Sequence, residues 1–171
     1  MNIYVDATTC IALGTIGELE LLTAFDGTLV VLPQIRSEVT TQPARATLER
    51  LHDRDKITIP TERTHENEMQ ARDILGESDT NGDVRVIAAV LTHGDNDERV
   101  AVVSDDQRVR TVARGLGATV TGTIGVVVRA VEDGLSADEA NAIVRRVDEH
   151  GLHMTAELRA KATDLIEDAA T

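Results

Sequence analysis

The feature that most restricts the fold of this chain is an alternation. Short apolar runs rich in β-branched residues are each followed by a stretch with helical periodicity. Residues 3–5, 28–32, 57–59, 99–103 and 118–120 read as strands. Helical patterns cover 9–22 (broken near Gly14 to Gly17), 35–41, 44–53, 66–75, 83–91, 107–116, 123–132, 136–150 and 155–169. Strands that take turns with helices point to an α/β fold with a mostly parallel sheet, because parallel neighbours need a crossover and a helix is the usual one. Local signals fix several helix ends: Gly117 and Gly134 suit left-handed stops, and Ser136 with Glu139 fits a capping box.

Nothing in the chain looks like a linker, a repeat or a low-complexity tract, and 171 residues suit one domain with a real core. One cysteine excludes a disulfide scaffold and any Cys-rich zinc module, and fits a reducing cytosol. No apolar run approaches the roughly 20 residues needed to span a bilayer, so a soluble, cytoplasmic protein is expected. His52, His65, His93, His150 and His153 are scattered without metal-ligand spacing.

The net charge of −13 argues at first against nucleic acid, whose phosphates repel an acidic surface. Yet the cations are 15 Arg and only 2 Lys, aromatics are nearly absent, and small residues abound. That composition suits a salt-saturated, halophilic cytoplasm, where a Debye length of about 3 Å at molar salt screens self-repulsion.

The chemistry-bearing candidates are acids next to predicted element ends. Asp6 follows the first strand, Asp105 and Asp106 follow the strand at 99–103, and Asp83 opens a helix. Each has a plain reading as a helix cap or turn residue, and Glu38 on its short helix reads by default as solvated. Together they are more informative, because parallel topology places ligands outside the carboxyl ends of strands. Carboxylates gathered there without His or Cys call for a hard divalent cation, Mg²⁺ or Mn²⁺. Such a site is suited to phosphodiester hydrolysis. Arg108 and Arg110 could touch phosphate, neutralise Asp105 and Asp106, or be solvated; Cys10 is most simply a core residue.

The segments VDATTCIALGTIGELELL, LPQIRSEV, GDVRVIAAV and VVSDDQRVRTVARGLGATVTGTIGVVVRAVEDGL resemble a PIN domain. The narrower resemblance is to the toxin nucleases of toxin–antitoxin pairs, and the tail GLHMTAELRAKATDLIEDA extends it over nearly the whole chain. The resemblance implies a three-layer sandwich with a central, mostly parallel, twisted sheet, helices on both faces and extra C-terminal helices. Residues 1–135 would form the nuclease domain and 136–171 a helical extension packed on it. It further implies a metal-dependent endoribonuclease, with Asp6, Glu38, Asp83 and Asp105 as the catalytic and metal-binding acids and Asp106 as a further or alternative ligand to Mg²⁺ or Mn²⁺. Asp83 stands where near relatives often have Glu, which shortens the reach by one methylene. Ser104 and Thr8 match positions where the family often places a hydroxyl near the acids. The implied partners are an RNA substrate, single-stranded or structured, a small antitoxin and a second copy of the chain in a homodimer.

Two other functions compete. A non-catalytic binding or regulatory module on the same fold is motivated by the acidic surface and by Asp83. A phospho-acceptor receiver domain fits less well, because it wants its acid pair early and a lysine after the last strand, whereas Lys56 and Lys161 are both misplaced.

Overall fold

The computed structural model describes residues 1–61 and 66–171; His65 lies outside the described residues. The elements follow as β1 (Asn2–Val5), α1 (Ala7–Thr15), a 3-10 turn (Leu19–Ala24), β2 (Thr28–Val30), α2 (Pro33–Glu38), α3 (Ala44–Asp53), α4 (Glu68–Leu75) and α5 (Gly82–Asp95). They continue with β3 (Val100–Val103), α6 (Gln107–Gly115), β4 (Thr119–Thr121), α7 (Thr123–Glu132), α8 (Ala137–Glu149) and α9 (Ala156–Ala169).

The four strands form one sheet in the order β2-β1-β3-β4, every pair parallel. Helices cover both faces: α1, α3, α7, α8 and α9 pack among themselves, as do α4, α5 and α6. Central β3 is buried along its whole length, which explains its unbroken VAVV sequence. One continuous apolar core runs from Ile3 to Ile166 and includes Cys10, which is fully buried with its thiol pKa pushed up by that burial. The α8 and α9 helices contribute Ile143, Val147, Ala162 and Ile166 to that core. No helix among the described residues is long and apolar enough to cross a membrane.

Two expected elements differ. The helix at 9–22 divides into α1 and the 3-10 turn, because Gly17 takes φ +80° and turns the chain. Gly14 within α1 sits against α3, where a Cβ would lie 2.7 Å from Ala44 Cα, so only glycine allows that approach. The expected strand at 57–59 contributes a single bridge, Val30 to Thr58. There Thr58 N–H donates to Leu29 and Val31 N–H donates to Thr58, and two residues later Pro60 has no N–H to extend the ladder. The Ser136–Glu139 capping box and the positive φ at Gly117 and Gly134 form as the sequence indicates.

The order β2-β1-β3-β4 contains a topological switch point. From β1 the chain leaves toward β2 on one side, and from β3 it leaves toward β4 on the other. In open parallel sheets ligands bind outside the carboxyl ends of the strands at such a point, here the ends of β1 and β3. Asp6 directly follows β1, and Ser104, Asp105 and Asp106 directly follow β3.

Candidate acidic site at the sheet switch point

Asp6 is the anchor of the site. Its backbone N–H donates to Val103 C=O at 3.0 Å, which seats it between the two central strands. Oδ1 accepts the Thr9 N–H at 2.8 Å and so caps α1. Oδ2 accepts the hydroxyls of Thr8, at 2.8 Å, and Ser104. Asp6 is only 3% exposed, and no arginine or lysine pairs with it among the described residues. Burial raises its carboxyl pKa above the ordinary value, and the bonds from Ser104, Thr9 and Thr8 offset part of that rise. Ser104 also accepts the Asp106 N–H at 3.1 Å, so a hydrogen-bonded chain joins β3 to Asp6.

Asp105 and Asp106 are adjacent but serve different helices. Asp106 Oδ1 caps α6 through Val109 N–H at 2.9 Å. Asp105 crosses to the next helix, accepting Thr123 N–H at 2.9 Å and the Thr123 hydroxyl at the start of α7. Thr9 links it to Asp6: the Thr9 N–H is bound by Asp6, and its Oγ1 lies 3.5 Å from Asp105 Oδ2. Gly122 precedes Thr123 with an ordinary extended backbone, φ −130°. What requires glycine there is space, since a Cβ would lie 2.5 Å from Asp105 Oδ1 and 2.8 Å from Arg110 Nη1.

The other acids arrive from α2 and α5. Glu38 Oε1 accepts Gly82 N–H at 3.0 Å, which docks the end of α2 on the start of α5 beside Asp83. A Cβ on Gly82 would meet both Glu38 oxygens at 2.9 Å, so this glycine is also set by close approach. Burial raises the Asp83 pKa first, then the negative charges of Asp106 and Asp6, while Arg108 lowers it in part. Arg108 makes no ion pair with Asp105 or Asp106, although the Glu77 hydrogen bond and, to a lesser degree, the Asp106 charge raise its pKa. Its Nη2 lies 2.6 Å from Glu77 and 3.5 Å from Asp83, and Nη1 donates to Leu75 C=O at 3.2 Å.

The structure thus brings all five sequence-derived acids to one sheet edge, where four helices, α1, α5, α6 and α7, begin. Their orphan N–H groups and positive dipole ends favour negative charge. Ser104 and Thr8, suspected from sequence, both hold Asp6. Sequence reasoning missed Thr9, Gly82, Gly122 and Thr123. Their signal was present in part, in the GTIG run that ends the most distinctive motif, but no role could be given to it without the fold.

The donor set fits a hard divalent cation in charge and type. The candidates are all oxygen ligands, the buried Asp6 lacks a cationic partner, and Asp83 is crowded by like charge. Among the described residues, however, no three Asp, Glu, His or Cys side chains are grouped to hold an ion. The hydrogen bonds supply the reason: Asp6, Glu38, Asp105 and Asp106 each give an oxygen to a helix-start N–H.

A family model described as a PIN domain matches residues 2–168 of this chain. No curated protein and no solved structure matches it. The matched span is nearly the full sequence, and with the parallel sheet flanked by helices it establishes family membership: the chain belongs to the PIN domain family.

Proposed function

We propose that this PIN-domain chain is a metal-dependent endoribonuclease that hydrolyses RNA phosphodiester bonds as the toxin component of a toxin–antitoxin pair. PIN domains are typically nucleases that use divalent metals. The observation that carries the reading here is Asp6, a buried carboxylate without a cationic partner at the switch point, within electrostatic reach of Asp83. Asp6, Asp83 and Asp105 or Asp106, with Glu38, would hold Mg²⁺ or Mn²⁺. The bound ion would supply water activation and charge stabilisation at the phosphate. The protein's own part is positional: Ser104, Thr8 and Thr9 fix the Asp6 carboxylate, and Thr123 fixes Asp105.

Purified protein is expected to cleave RNA with Mn²⁺ or Mg²⁺, to stop in EDTA, to recover when metal is restored, and to lose cleavage in Asp6→Asn. Metal-independent cleavage by that variant would end this reading. The toxin assignment, with a small antitoxin and a homodimeric state, rests on resemblance. Growth arrest on expression, relieved by a short neighbouring reading frame, tests the first two; sedimentation tests the third.

One observation favours a second reading, a non-catalytic binding or regulatory module. Helix capping already accounts for an oxygen on most of the acids, and they do not converge on one centre. Isothermal titration separates the two readings: absence of Mn²⁺ binding at every salt concentration would favour the module.

A further inference from the structure

Two arginines leave the same turn of α6 beside the acidic cluster, and the fold treats them differently. Residues two apart on a helix point to opposite sides. Arg108 turns toward α4 and α5, where Glu77, Asp83 and the Leu75 carbonyl hold it. Arg110 turns toward the end of β4. There its Nη1 and Asp105 Oδ1 both close on Gly122, where a Cβ would lie 2.8 and 2.5 Å from them, an approach that glycine permits. Arg110 is half-buried and forms no ion pair with any carboxylate among the described residues.

Arg110 thus places a guanidinium beside the acidic cluster without an ion-pair partner among the described residues, and its chemistry suits bidentate binding of a phosphate.

We propose that Arg110 is the cation that contacts a backbone phosphate of a bound RNA strand, while Arg108 is a structural tie. The inference deepens the nuclease reading and rests on it. Binding is measured without metal, in EDTA, by fluorescence anisotropy of a short labelled oligoribonucleotide over a range of salt concentrations. For single strands the slope of log K against log salt is about 0.7 per phosphate neutralised. Arg110→Gln is expected to weaken binding and reduce the slope magnitude by about 0.7, whereas Arg110→Lys keeps the slope. Arg108→Gln is expected to lower the melting temperature and leave the slope unchanged. An unchanged slope in Arg110→Gln, or a slope loss in Arg108→Gln alone, overturns the proposal. Circular dichroism checks the fold, and Arg110→Glu repeats the charge test should the glutamine variant be poorly folded. Wild-type protein that binds no RNA in EDTA, or that binds with Arg110 insensitive, removes this inference alone; the nuclease reading stands or falls separately on metal-dependent cleavage and its loss in Asp6→Asn.

Discussion

Replacing Asp6 by Asn separates its role as a helix cap from its role as a buried charge. Asparagine caps a helix about as well as aspartate, so the Thr9 N–H keeps its acceptor. The change takes away a charged acceptor for the Thr8 and Ser104 hydroxyls, where a bond to a charged group contributes about 1.5–3 kcal/mol. It also removes the cost of keeping a carboxylate ionised at 3% exposure, several kcal/mol per buried ion. These terms oppose each other, and the metal-free variant should unfold within about 1–2 kcal/mol of wild type.

The same substitution should abolish the response to metal. A ligand at a hundred times its Kd stabilises by about 2.7 kcal/mol. At roughly 2–4 °C per kcal/mol for a chain of this size, wild type should melt about 5–10 °C higher in Mn²⁺, and Asp6→Asn should not move. The pH dependence of the metal-free protein has a definite sign. The folded-state pKa of Asp6 is raised, so the folded form holds its proton more tightly, and stability falls as pH rises from the ordinary aspartate range through that raised value. Asp6→Asn should flatten this limb. Asp6→Ala, which also loses the cap, should melt below Asp6→Asn by about 1 kcal/mol. Scanning calorimetry with and without Mn²⁺ reads all three proteins. An equal Mn²⁺ shift in wild type and Asp6→Asn would refute the reasoning and leave Asp6 as a cap alone.

Other consequences follow from the same geometry. Gly122→Ala would push against the Asp105 and Arg110 side-chain ends at 2.5 and 2.8 Å, so RNA cleavage should fall by up to about 10²-fold with only a small change in melting. Gly14→Ala meets Ala44 backbone, which cannot swing away, and should cost about 1–3 kcal/mol in denaturant titrations despite better helix propensity. Glu49 is gripped by Arg36 at 2.8 and 2.9 Å and by Arg45 at 2.8 Å, and the Arg36 bonds chiefly hold its pKa below 4.5. Its contribution, about 1 kcal/mol for a partly exposed network, is present above that value and lost as pH falls through the depressed one. Glu49→Gln should therefore destabilise near pH 7 and flatten the acid limb. With a net charge of −13, folding and Mn²⁺ binding should hold up best in concentrated salt. An optimum below about 0.1 M, where the Debye length is about 10 Å, would contradict this.

Much of the architecture could be read locally. The unbroken VAVV of β3 announced a strand buried on both faces, and Asp6, Asp106, Ser136 and Thr155 sit where helix caps belong because capping bonds reach only three residues along the chain. The single bridge at Thr58 was harder to foresee, since an edge pairing depends on which strand lies alongside. Arg108 was legible as a cation near acids, but its partners Glu77 and Asp83 come from outside its own helix, and no periodicity identifies them.

The sequence by itself determined the alternation of strand and helix, the parallel sheet that alternation requires, and the acids at strand and helix ends, all consequences of short-range backbone chemistry. Tertiary structure alone decided that β1 and β3 would be neighbours with their connections leaving in opposite directions. That order joins Ser104 to Asp6 across 98 positions and Glu38 to Gly82 across 44. It also gathers the starts of α1, α5, α6 and α7 at one edge. The physical reason is that a carboxylate's partners are set by what lies within a few ångströms: the capping bonds come from the next turn of chain, but the bonds that tie one acid to another element come from distant parts of it.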